Sequence, residues 1–365
     1  MKNCPVHLRR QGGGMSPALA AYYAAALPQL LRASRAAFPR VFPTDWLRAA
    51  GLSASAALRR GINAPARLYL ERPGKLLRPL IARLLLEAFG KAPADYEEVF
   101  GAIELMEAST VSFDDIIDGS ALRRGGPAAH RLYGEKNAYL AYQASYNWAW
   151  RVFLSPSLRL EDWRREYILR TFSSEIFAYG YGQSVELWWT AGRRAPSAEE
   201  YLSMSWDRIR FLSFTGPFRI GALLGGCGRR ELPRFEAAGS WLGMAYHLHG
   251  DELNLFPRSE AWGKPLADDI TAGRYTYLYL TAMRFSAPAQ RAALGAALGD
   301  ASISMAALKN VIDIVRRSGA VEENRRMIDV FRRRALSELG SCRLRLRELS
   351  LLRSLAYYMA DERDK

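Results

Sequence analysis

Apolar residues recur at spacings of three and four along most of the chain. The clearest example, LLRPLIARLLLEAF at residues 76–89, is followed by Gly90, a residue that commonly ends a helix. The same spacing predicts further helices at residues 96–117, 137–154, 163–189, 198–225, 234–256, 303–318 and 322–359, the last interrupted near Gly340. Alternating runs rich in Val, Ile and Thr are almost absent, so strands are not expected. The pattern predicts an all-α helical bundle.

Composition predicts one large domain. The chain has 365 residues, of which 49% are hydrophobic and 24% charged, and no long Gly, Ser or Pro linker divides it. Residues 1–14 are basic without an apolar core, so we expect a disordered tail and not a secretory signal. Met15 follows three glycines and is an alternative start. We therefore assign residues 15–365 to a single all-helical domain.

Net charge and cysteine content indicate the kind of partner and the cellular compartment. The net charge of +14 suits an anionic partner, and it equally suits a solvated basic surface. No nucleic-acid-binding motif is present and the basic residues are spread, so a nucleic-acid partner is not expected. Cys4, Cys227 and Cys342 lack the spacing of a disulfide framework or a zinc site, which favours a reducing cytoplasm. The most apolar stretch, residues 139–154, is too short and too polar for a membrane span.

Three aspartates lie near the end of the predicted helix 96–117. Asp114 and Asp118 are four residues apart and share one face of the helix, with Asp115 beside them. Two carboxylates one turn apart repel each other, and near a C-terminus they also oppose the helix dipole. A cation relieves both effects, and Mg²⁺ accepts one or two carboxylates together with phosphate oxygens. A solvated acidic helix end is the alternative for these residues alone.

Basic residues flank this acidic segment. Arg123 and Arg124 follow it after a short loop, and guanidinium groups match phosphate geometry. Upstream, Lys75 and Arg78 lie at a predicted loop-to-helix boundary, where backbone amides also favour anions. Each of these cations alone could be an ordinary surface charge. Together with the aspartates they predict a metal–diphosphate site.

These motifs resemble those of the trans-isoprenyl diphosphate synthases, the polyprenyl synthetase family. The resemblance rests on GKLLRP at residues 74–79, ELMEASTVSFDDIIDGSALRRGGPAAH at 104–130, Gly182-Gln183, residues 246–254, and GKPLADDITAGRYT at 263–276. An ordered series of five motifs is more specific than any one of them. It implies an all-α fold around a deep central cavity, with two Asp-rich helices facing each other across its mouth.

The resemblance also implies roles for individual residues. Asp114 and Asp118 would hold two or three Mg²⁺ ions against an allylic diphosphate, with Asp115 supporting them. Further contacts with that diphosphate are implied for Arg123, Lys264 and Arg274, the last standing where the family usually has Lys. Isopentenyl diphosphate would be bound by Lys75, Arg78 and Arg124. A homodimer is implied as well.

Several residues depart from the family pattern on the substrate side. Glu107 stands where chain-elongating members usually carry a His that helps to bind isopentenyl diphosphate, and a carboxylate there repels a diphosphate unless an arginine neutralises it. Arg208-Ile209 occupies the site that we align with Lys-Thr, which keeps a charge for the catalytic site and loses a hydroxyl. Glu186 replaces the aspartate expected after Gln183, itself a candidate substrate contact.

The second Asp-rich motif is altered too. Gly250 replaces its first aspartate, and His247, a candidate substrate contact, replaces a glutamine. Asp251 remains as the candidate metal ligand on this helix. One residue corresponds to a rotation of about 100°, so Asp251 cannot simply take over from the missing aspartate.

Pocket depth is indicated by the residues before the first motif. Ser109 and Thr110 lie about one turn before Asp114, and their small side chains predict a pocket deep enough for a C15 or C20 chain. Phe113, directly before the first motif, is expected to narrow the mouth of this pocket. Aromatic residues could line the cavity and stabilise a cation, or belong to the plain core: Tyr139, Tyr142, Tyr146, Trp148, Trp188 and Trp189.

Three functions fit this sequence. The first is a prenyltransferase that makes a short-chain diphosphate or transfers the allylic group to another acceptor, which Lys75, Arg78 and Arg124 favour. The second is a terpene synthase derived from the family, which Glu107 and Gly250 favour. The third is a non-catalytic subunit of a heteromeric synthase, against which the intact DDIID and Arg pair argue.

Overall fold

The structure is a computed structural model that describes residues 14–38, 59–192, 194–210, 214–257 and 266–362. Within these ranges it contains sixteen α-helices. They are α1 (Pro17–Ala36), α2 (Ala64–Glu71), α3 (Leu77–Ala88), α4 (Glu97–Ile117), α5 (Ala129–Tyr133), α6 (Glu135–Leu154), α7 (Asp162–Thr190), α8 (Ala198–Arg210), α9 (Gly216–Gly225), α10 (Leu232–Leu255), α11 (Asp268–Thr271), α12 (Tyr277–Phe285), α13 (Pro288–Ala297), α14 (Met305–Arg317), α15 (Ala320–Gly340) and α16 (Leu346–Tyr357). The predicted all-α fold is confirmed.

Helix α4 lies at the centre of the bundle. It packs against α6 on one side and against α1 and α3 on others, while α9 covers α3 and α10 packs against α15. The main apolar core joins residues of α1 to α7 with residues of α9, α10, α15 and α16. A smaller core holds α12, α13 and α14 together near the C-terminal end of α10. Because most side chains of α4 are buried, the helix can present its C-terminal carboxylates from a rigid support.

The predicted helix at 198–225 corresponds to two described helices. Helix α8 extends to Arg210, and α9 begins at Gly216 with Pro217 in its first turn, while residues 211–213 lie outside the described ranges. Proline lacks an N–H and its ring clashes with the carbonyl four residues earlier, so a helix cannot run through it undisturbed. The predicted interruption near Gly340 is confirmed, since α15 ends at that residue.

Six helices were not predicted from the sequence: α1, α2, α5, α11, α12 and α13. Helix α1 begins after Ser16, whose hydroxyl accepts a hydrogen bond from the amide of Leu19 at 3.4 Å. The other five are only four to ten residues long, too short for a clear period. Of the predicted tail at residues 1–14, only Gly14 lies within the described residues.

A two-stranded antiparallel hairpin interrupts the helices, although no strand was expected. Leu122–Arg123 pairs with Gly126–Pro127, with Arg123 opposite Gly126. The two central residues, Arg124 and Gly125, have φ angles of 51° and 76°, the positive values that tight hairpin turns require. The hairpin therefore fixes the direction of both arginines that follow the first acidic motif.

None of the helices in the described ranges combines the length and the apolar character needed to cross a membrane. Cys227 and Cys342 are buried free thiols, and Cys4 lies outside the described residues.

Candidate active site

The three aspartates at the end of α4 occupy different surroundings. Helix α4 ends at Ile117, and the amide of Asp118 still donates to the carbonyl of Asp114 at 2.8 Å, so the two side chains are one turn apart as predicted. The side chain of Asp115 is completely buried, whereas that of Asp118 is 23% exposed. Asp114 and Asp118 therefore face a cleft, whereas Asp115 lies inside the protein.

Asp115 is held by two donors from other elements. The hydroxyl of Tyr69 on α2 donates to its Oδ2 at 2.6 Å, and Nε and Nη2 of Arg123 lie 2.7 and 2.6 Å from its Oδ1. A buried carboxylate needs such partners, because an unpaired charge in the interior is costly. Asp115 therefore anchors the hairpin to α4, and Arg123 faces this aspartate.

Asp114 faces α7. The hydroxyl of Tyr179 donates a hydrogen bond to its Oδ1. Burial raises the pKa of Asp114 to about 6, while the Tyr179 bond and the charge of Arg208 act in the opposite direction and the charge of Asp118 adds to the rise. A cation placed beside both carboxylates would favour the ionised form of each.

Asp118 is joined to α11 by a single arginine. Nη1 of Arg274 lies 3.4 Å from Asp118 Oδ1, while Nη2 and Nε of the same guanidinium lie 2.6 Å from Asp268 Oδ2 and 2.9 Å from Asp269 Oδ1. One cation thus serves three carboxylates. We name Asp114, Asp118, Arg208 and Arg274 the aspartate cluster.

Arg208 completes the aspartate cluster from α8. Its Nη1 donates to Gln183 Oε1 at 3.1 Å and forms an ion pair with Glu186. A Cβ on Gly182 would come within 2.7 Å of the Cβ of Arg208, so only glycine allows α8 this close to α7. The Gly-Gln pair that the sequence singled out therefore positions Arg208 near Asp114.

The second acidic segment lies on α10. Asp251 is buried, and its Oδ2 accepts a hydrogen bond from the hydroxyl of Tyr201 at 3.1 Å. The same hydroxyl is 2.8 Å from Nε2 of His247, whose ring stacks on that of Tyr201. Burial raises the pKa of Asp251 well above its usual range, and the charge of Asp269 adds to this effect. Its assignment as a metal ligand stays a prediction.

The donor set fits Mg²⁺ held jointly by protein and substrate. Among the described residues, no group of three or more acidic, His or Cys side chains converges on one point. Asp114 and Asp118 supply two carboxylates one turn apart, and the charge of Asp118 raises the pKa of Asp114, which indicates a local excess of negative charge. Mg²⁺ commonly binds one or two carboxylates and completes its shell with phosphate oxygens and water.

A second group of charges lies between α3, α4 and the hairpin. We name Arg78, Glu104, Glu107 and Arg124 the arginine–glutamate cluster. Nη1 of Arg78 lies 2.8 Å from Glu107 Oε1, and Nη1 of Arg124 lies 3.4 Å from Glu104 Oε1. Burial raises the pKa of Glu104 to about 7, with both arginines opposing the rise. The cluster thus contains two guanidinium groups and two carboxylates, while Nζ of Lys75 lies 5.9 Å from the ring centroid of Tyr358.

Backbone strain coincides with these motifs. In the described part of the chain, four residues other than glycine have positive φ, and three of them lie in the motifs: Leu76, Arg124 and Ala267. Each such conformation costs on the order of 1–3 kcal/mol and tends to persist at functional sites. Lys264, which belongs to the same motif as Ala267, lies outside the described residues.

A cavity lies between α3, α4, α7 and α9, with about 320 Å³ of empty space when the solvent at its opening is included. Its lining residues are Arg78, Ile103, Met106, Glu107, Thr110, Phe172, Glu175, Gly216, Pro217 and Ile220. Thr110 lines the cavity as predicted. Ser109 is not among these residues. The hydroxyls of both residues donate to the carbonyl of Met106 within α4.

Five aromatic side chains form a continuous row beside the cavity: Phe113, Tyr142, Tyr146, Trp150 and Phe172. Of these five, Phe172 alone lines the cavity. The ring of Phe113 stacks on Tyr142 at 4.6 Å, and contacts of 6.1 to 6.4 Å continue through Tyr146 and Trp150 to Phe172. Phe113 also contacts the ring of Tyr179, the partner of Asp114, but it is not a lining residue of the cavity. The row therefore stiffens one wall.

The aromatic residues that the sequence offered as cavity or core residues differ in burial. Tyr146 and Trp189 are buried, while Trp188 is 48% exposed on the outer face of α7 and does not line the cavity. Trp148 packs edge-on against Phe38 in the main core. For Trp148 the structure therefore agrees with the core alternative.

Sequence reasoning missed the residues that hold the aspartates. Tyr69, Tyr179 and Tyr201 each donate a hydroxyl to one aspartate: Asp115, Asp114 and Asp251, respectively. The chain has 18 tyrosines and these three lie 46 to 65 residues from their partners, so no local pattern marks them.

The helical bundle and the charged cleft define a protein of the isoprenoid synthase fold. Solved structures with this fold superimpose closely. They include a geranylgeranyl pyrophosphate synthetase from Pyrococcus horikoshii, with a TM-score of 0.79 and 20% identity over 94% of this chain and 98% of that one. A second, from Corynebacterium glutamicum in complex with isoprenyl diphosphate and magnesium, has a TM-score of 0.78 and 21% identity over 93% and 98%.

The chain belongs to the polyprenyl synthetase family, whose sequence profile matches residues 59–315. A short chain isoprenyl diphosphate synthase from Methanothermobacter thermautotrophicus is 30% identical over 68% of this chain and 74% of its own length. A geranylgeranyl diphosphate synthase from Sulfolobus acidocaldarius is 30% identical over 67% and 73%, respectively. The protein is therefore a prenyltransferase of isoprenoid biosynthesis.

Proposed function

We propose that this chain is a Mg²⁺-dependent short-chain prenyl diphosphate synthase that joins an allylic diphosphate to isopentenyl diphosphate and makes a C15 or C20 product. One observation carries the proposal: the cavity begins at Thr110, one helical turn below Asp114. An allylic diphosphate whose head meets the aspartate cluster can therefore place its hydrocarbon tail in the cavity. Relatives named as farnesyl and geranylgeranyl diphosphate synthases support the product range.

The aspartate cluster binds the allylic diphosphate in this proposal. Asp114 and Asp118 would hold Mg²⁺, which when bound neutralises the diphosphate and favours its departure. Arg208 and Arg274 stand beside these carboxylates and contribute fixed positive charge where the leaving group becomes more negative. Tyr179 orients Asp114. The cavity excludes water from the cation that remains.

The arginine–glutamate cluster, together with Lys75, binds isopentenyl diphosphate. Lys75, Arg78 and Arg124 supply the positive charge, and Cβ of a residue at Gly74 would lie 3.3 Å from the Arg124 guanidinium, so loop and hairpin are in contact. Glu107 neutralises Arg78 at 2.8 Å. We infer that the second substrate binds more weakly than it would at an unopposed cluster of three cations.

A product assay tests the proposal. Geranyl, farnesyl or geranylgeranyl diphosphate is incubated with the protein and Mg²⁺, each with and without isopentenyl diphosphate. A longer diphosphate that appears only with isopentenyl diphosphate is the expected result. A hydrocarbon or alcohol formed from the allylic substrate alone as fast as the elongated product would contradict it, and so would the absence of any turnover, which points to a non-catalytic subunit.

Replacing Glu107 by Gln or His is expected to lower the KM for isopentenyl diphosphate by about tenfold, because Glu107 then no longer neutralises the charge that Arg78 offers to the substrate. Initial rates at saturating allylic substrate measure this. Glu87→Gln is the matched control: Glu87 pairs with Arg83 on the same helix α3 at 3.1 Å, away from the cluster. A KM unchanged in both Glu107 variants would mean that Arg78 does not contact this substrate.

The relatives do not support a terpene synthase, the alternative that Glu107 and Gly250 favoured, since they are named as prenyl diphosphate synthases. Transfer of the allylic group to an acceptor other than isopentenyl diphosphate, bound at the arginine–glutamate cluster, remains an alternative. In the product assay it would appear as diphosphate release that isopentenyl diphosphate does not accelerate.

We further propose a homodimer formed through α7. Its outer face exposes large apolar side chains, with Phe177 75%, Tyr181 66% and Trp188 48% exposed, and an apolar stripe of this kind marks an interface. We expect a dimer by light scattering and a monomer after Phe177→Glu with Tyr181→Glu. Phe285→Glu, which changes an exposed aromatic residue on α12, is the control and should stay dimeric. A monomeric parent protein would contradict this proposal.

A further inference from the structure

A buried carboxylate faces the cavity that we assign to the hydrocarbon tail. Glu175 on α7 is completely inaccessible to solvent, yet it lines the cavity beside Met106, Phe172 and Ile220. A hydrocarbon gains nothing from a charge in its binding site. The two other charged lining residues, Arg78 and Glu107, are paired with each other, as described above.

Glu175 lies directly below the aspartate cluster. Tyr179, which binds Asp114, follows Glu175 by four residues on α7, and Asp114 follows Thr110 by four residues on α4. Four residues correspond to about 6 Å along a helix. Glu175 and Thr110 therefore line the cavity at one depth, where the first carbons of a chain bound at Asp114 pass.

The partners of Glu175 lie behind it, away from the cavity. Arg219 on α9 forms an ion pair with Glu175, and its Nε also binds Glu236 on α10, to which the hydroxyl of Tyr167 donates at 3.0 Å. None of these three partners lines the cavity. Glu175 is therefore the member of this group of charges that faces the cavity.

Stability does not explain this arrangement. Removing two charges from water is expensive, and replacing a buried ion pair by well-packed apolar residues is often neutral or stabilising. The pair instead places fixed negative charge next to the carbons that become positive in the reaction.

We propose that Glu175 is a catalytic residue that stabilises the allylic cation by its charge. The inference rests on the proposed function. In the step concerned, the bond between C1 and the diphosphate oxygen breaks, its electron pair leaves with the diphosphate, and the positive charge is shared between C1 and C3. The double bond of isopentenyl diphosphate then attacks C1 and a proton is lost; without that substrate, water attacks instead and gives an alcohol and a proton. Glu175 forms no bond and takes no proton. Because the uncharged tail of the intact substrate does not feel this charge, the effect falls on kcat more than on KM.

Glu175→Gln tests the proposal, since it removes the charge and keeps the shape. Release of diphosphate from farnesyl diphosphate in a single turnover is expected to slow by about 100-fold, with KM unchanged within about threefold. Glu236→Gln is the matched control: it removes a carboxylate from the same Arg219 but outside the cavity, and should change the rate less than about threefold. Glu175→Asp keeps the charge and should restore most of the rate.

Binding of a cation mimic separates catalysis from structure. An ammonium analogue of the allylic cation, added with inorganic diphosphate, should bind the parent protein at least about tenfold more tightly than its uncharged carbon analogue in calorimetry. Glu175→Gln should lose this preference and Glu236→Gln should keep it. If Glu175→Gln fails to fold, the double variant Glu175→Gln with Arg219→Gln leaves no guanidinium unpaired at this position and takes its place.

Several outcomes would overturn the inference. They are a parent protein without preference for the ammonium analogue, a Glu175→Gln protein that keeps it, and equal loss in the Glu175 and Glu236 variants. Neither assay contains isopentenyl diphosphate. A protein that ionises farnesyl diphosphate but never elongates it would therefore refute the proposed function and leave the role of Glu175 standing.

Discussion

Asp114→Ala is expected to slow diphosphate release from an allylic substrate by about 10³-fold or more at saturating Mg²⁺. Asp114 supplies one of two carboxylates for the metal, and metal stabilisation of the departing charge is worth several kcal/mol, with tenfold in rate for each 1.4 kcal/mol or so. Single-turnover measurement of released diphosphate checks this.

Asp207→Ala is the control for this prediction, because Asp207 is an exposed aspartate next to Arg208 on α8. We expect its rate to match that of the parent protein. An Asp114→Ala protein that retains a tenth of the parent rate would contradict the assignment of Asp114 as a metal ligand.

Asp115→Ala is expected to lower the free energy of unfolding by about 3–5 kcal/mol. The change leaves Arg123 without its carboxylate and Tyr69 without its acceptor, and breaking a buried ion pair from one side carries a cost of this size. Urea denaturation followed by circular dichroism measures the difference.

Asp118→Ala separates stability from activity in the same motif. Its side chain is partly exposed, and Arg274 keeps Asp268 and Asp269 as partners, so we expect a loss of less than about 1 kcal/mol together with a large loss of diphosphate release. Equal destabilisation by the Asp115 and Asp118 variants would show that both aspartates serve the fold.

The sequence was sufficient to predict the helix that carries Asp114 and Asp118. Asp114 and Asp118 are close in sequence, and their juxtaposition follows from the helical period alone. The same holds for Arg123 and Arg124, which a short loop places near the end of α4. Local spacing decides these features, so they needed no knowledge of tertiary structure.

Partners from distant elements could not be predicted in this way. Tyr179 reaches Asp114 only because α7 packs against the bundle, and Arg274 reaches Asp118 only because the segment after α10 returns to the end of α4. Thr110 lines the cavity and Ser109 does not, a difference that depends on the rotation of about 100° between neighbouring residues of a helix. These contacts depend on how the helices pack against one another, and a single sequence does not reveal that packing.

The buried ion pair of Glu175 and Arg219 beside the cavity could not be predicted from the sequence either. Glu175 and Arg219 are 44 residues apart, and each stands in an apolar stretch of helix that reads as ordinary core. Only their contact in the folded chain distinguishes them from two unrelated polar residues.

The bridging position of Arg274 has a consequence for how ligands enter. The guanidinium already acts as counter-ion to Asp118, Asp268 and Asp269, so a metal that binds Asp118 must compete with a charge belonging to the protein. Binding at this end of α4 is therefore an exchange of counter-ions. The arginine displaced from Asp118 is then available to a phosphate oxygen, and this exchange makes the affinities for metal and diphosphate depend on each other.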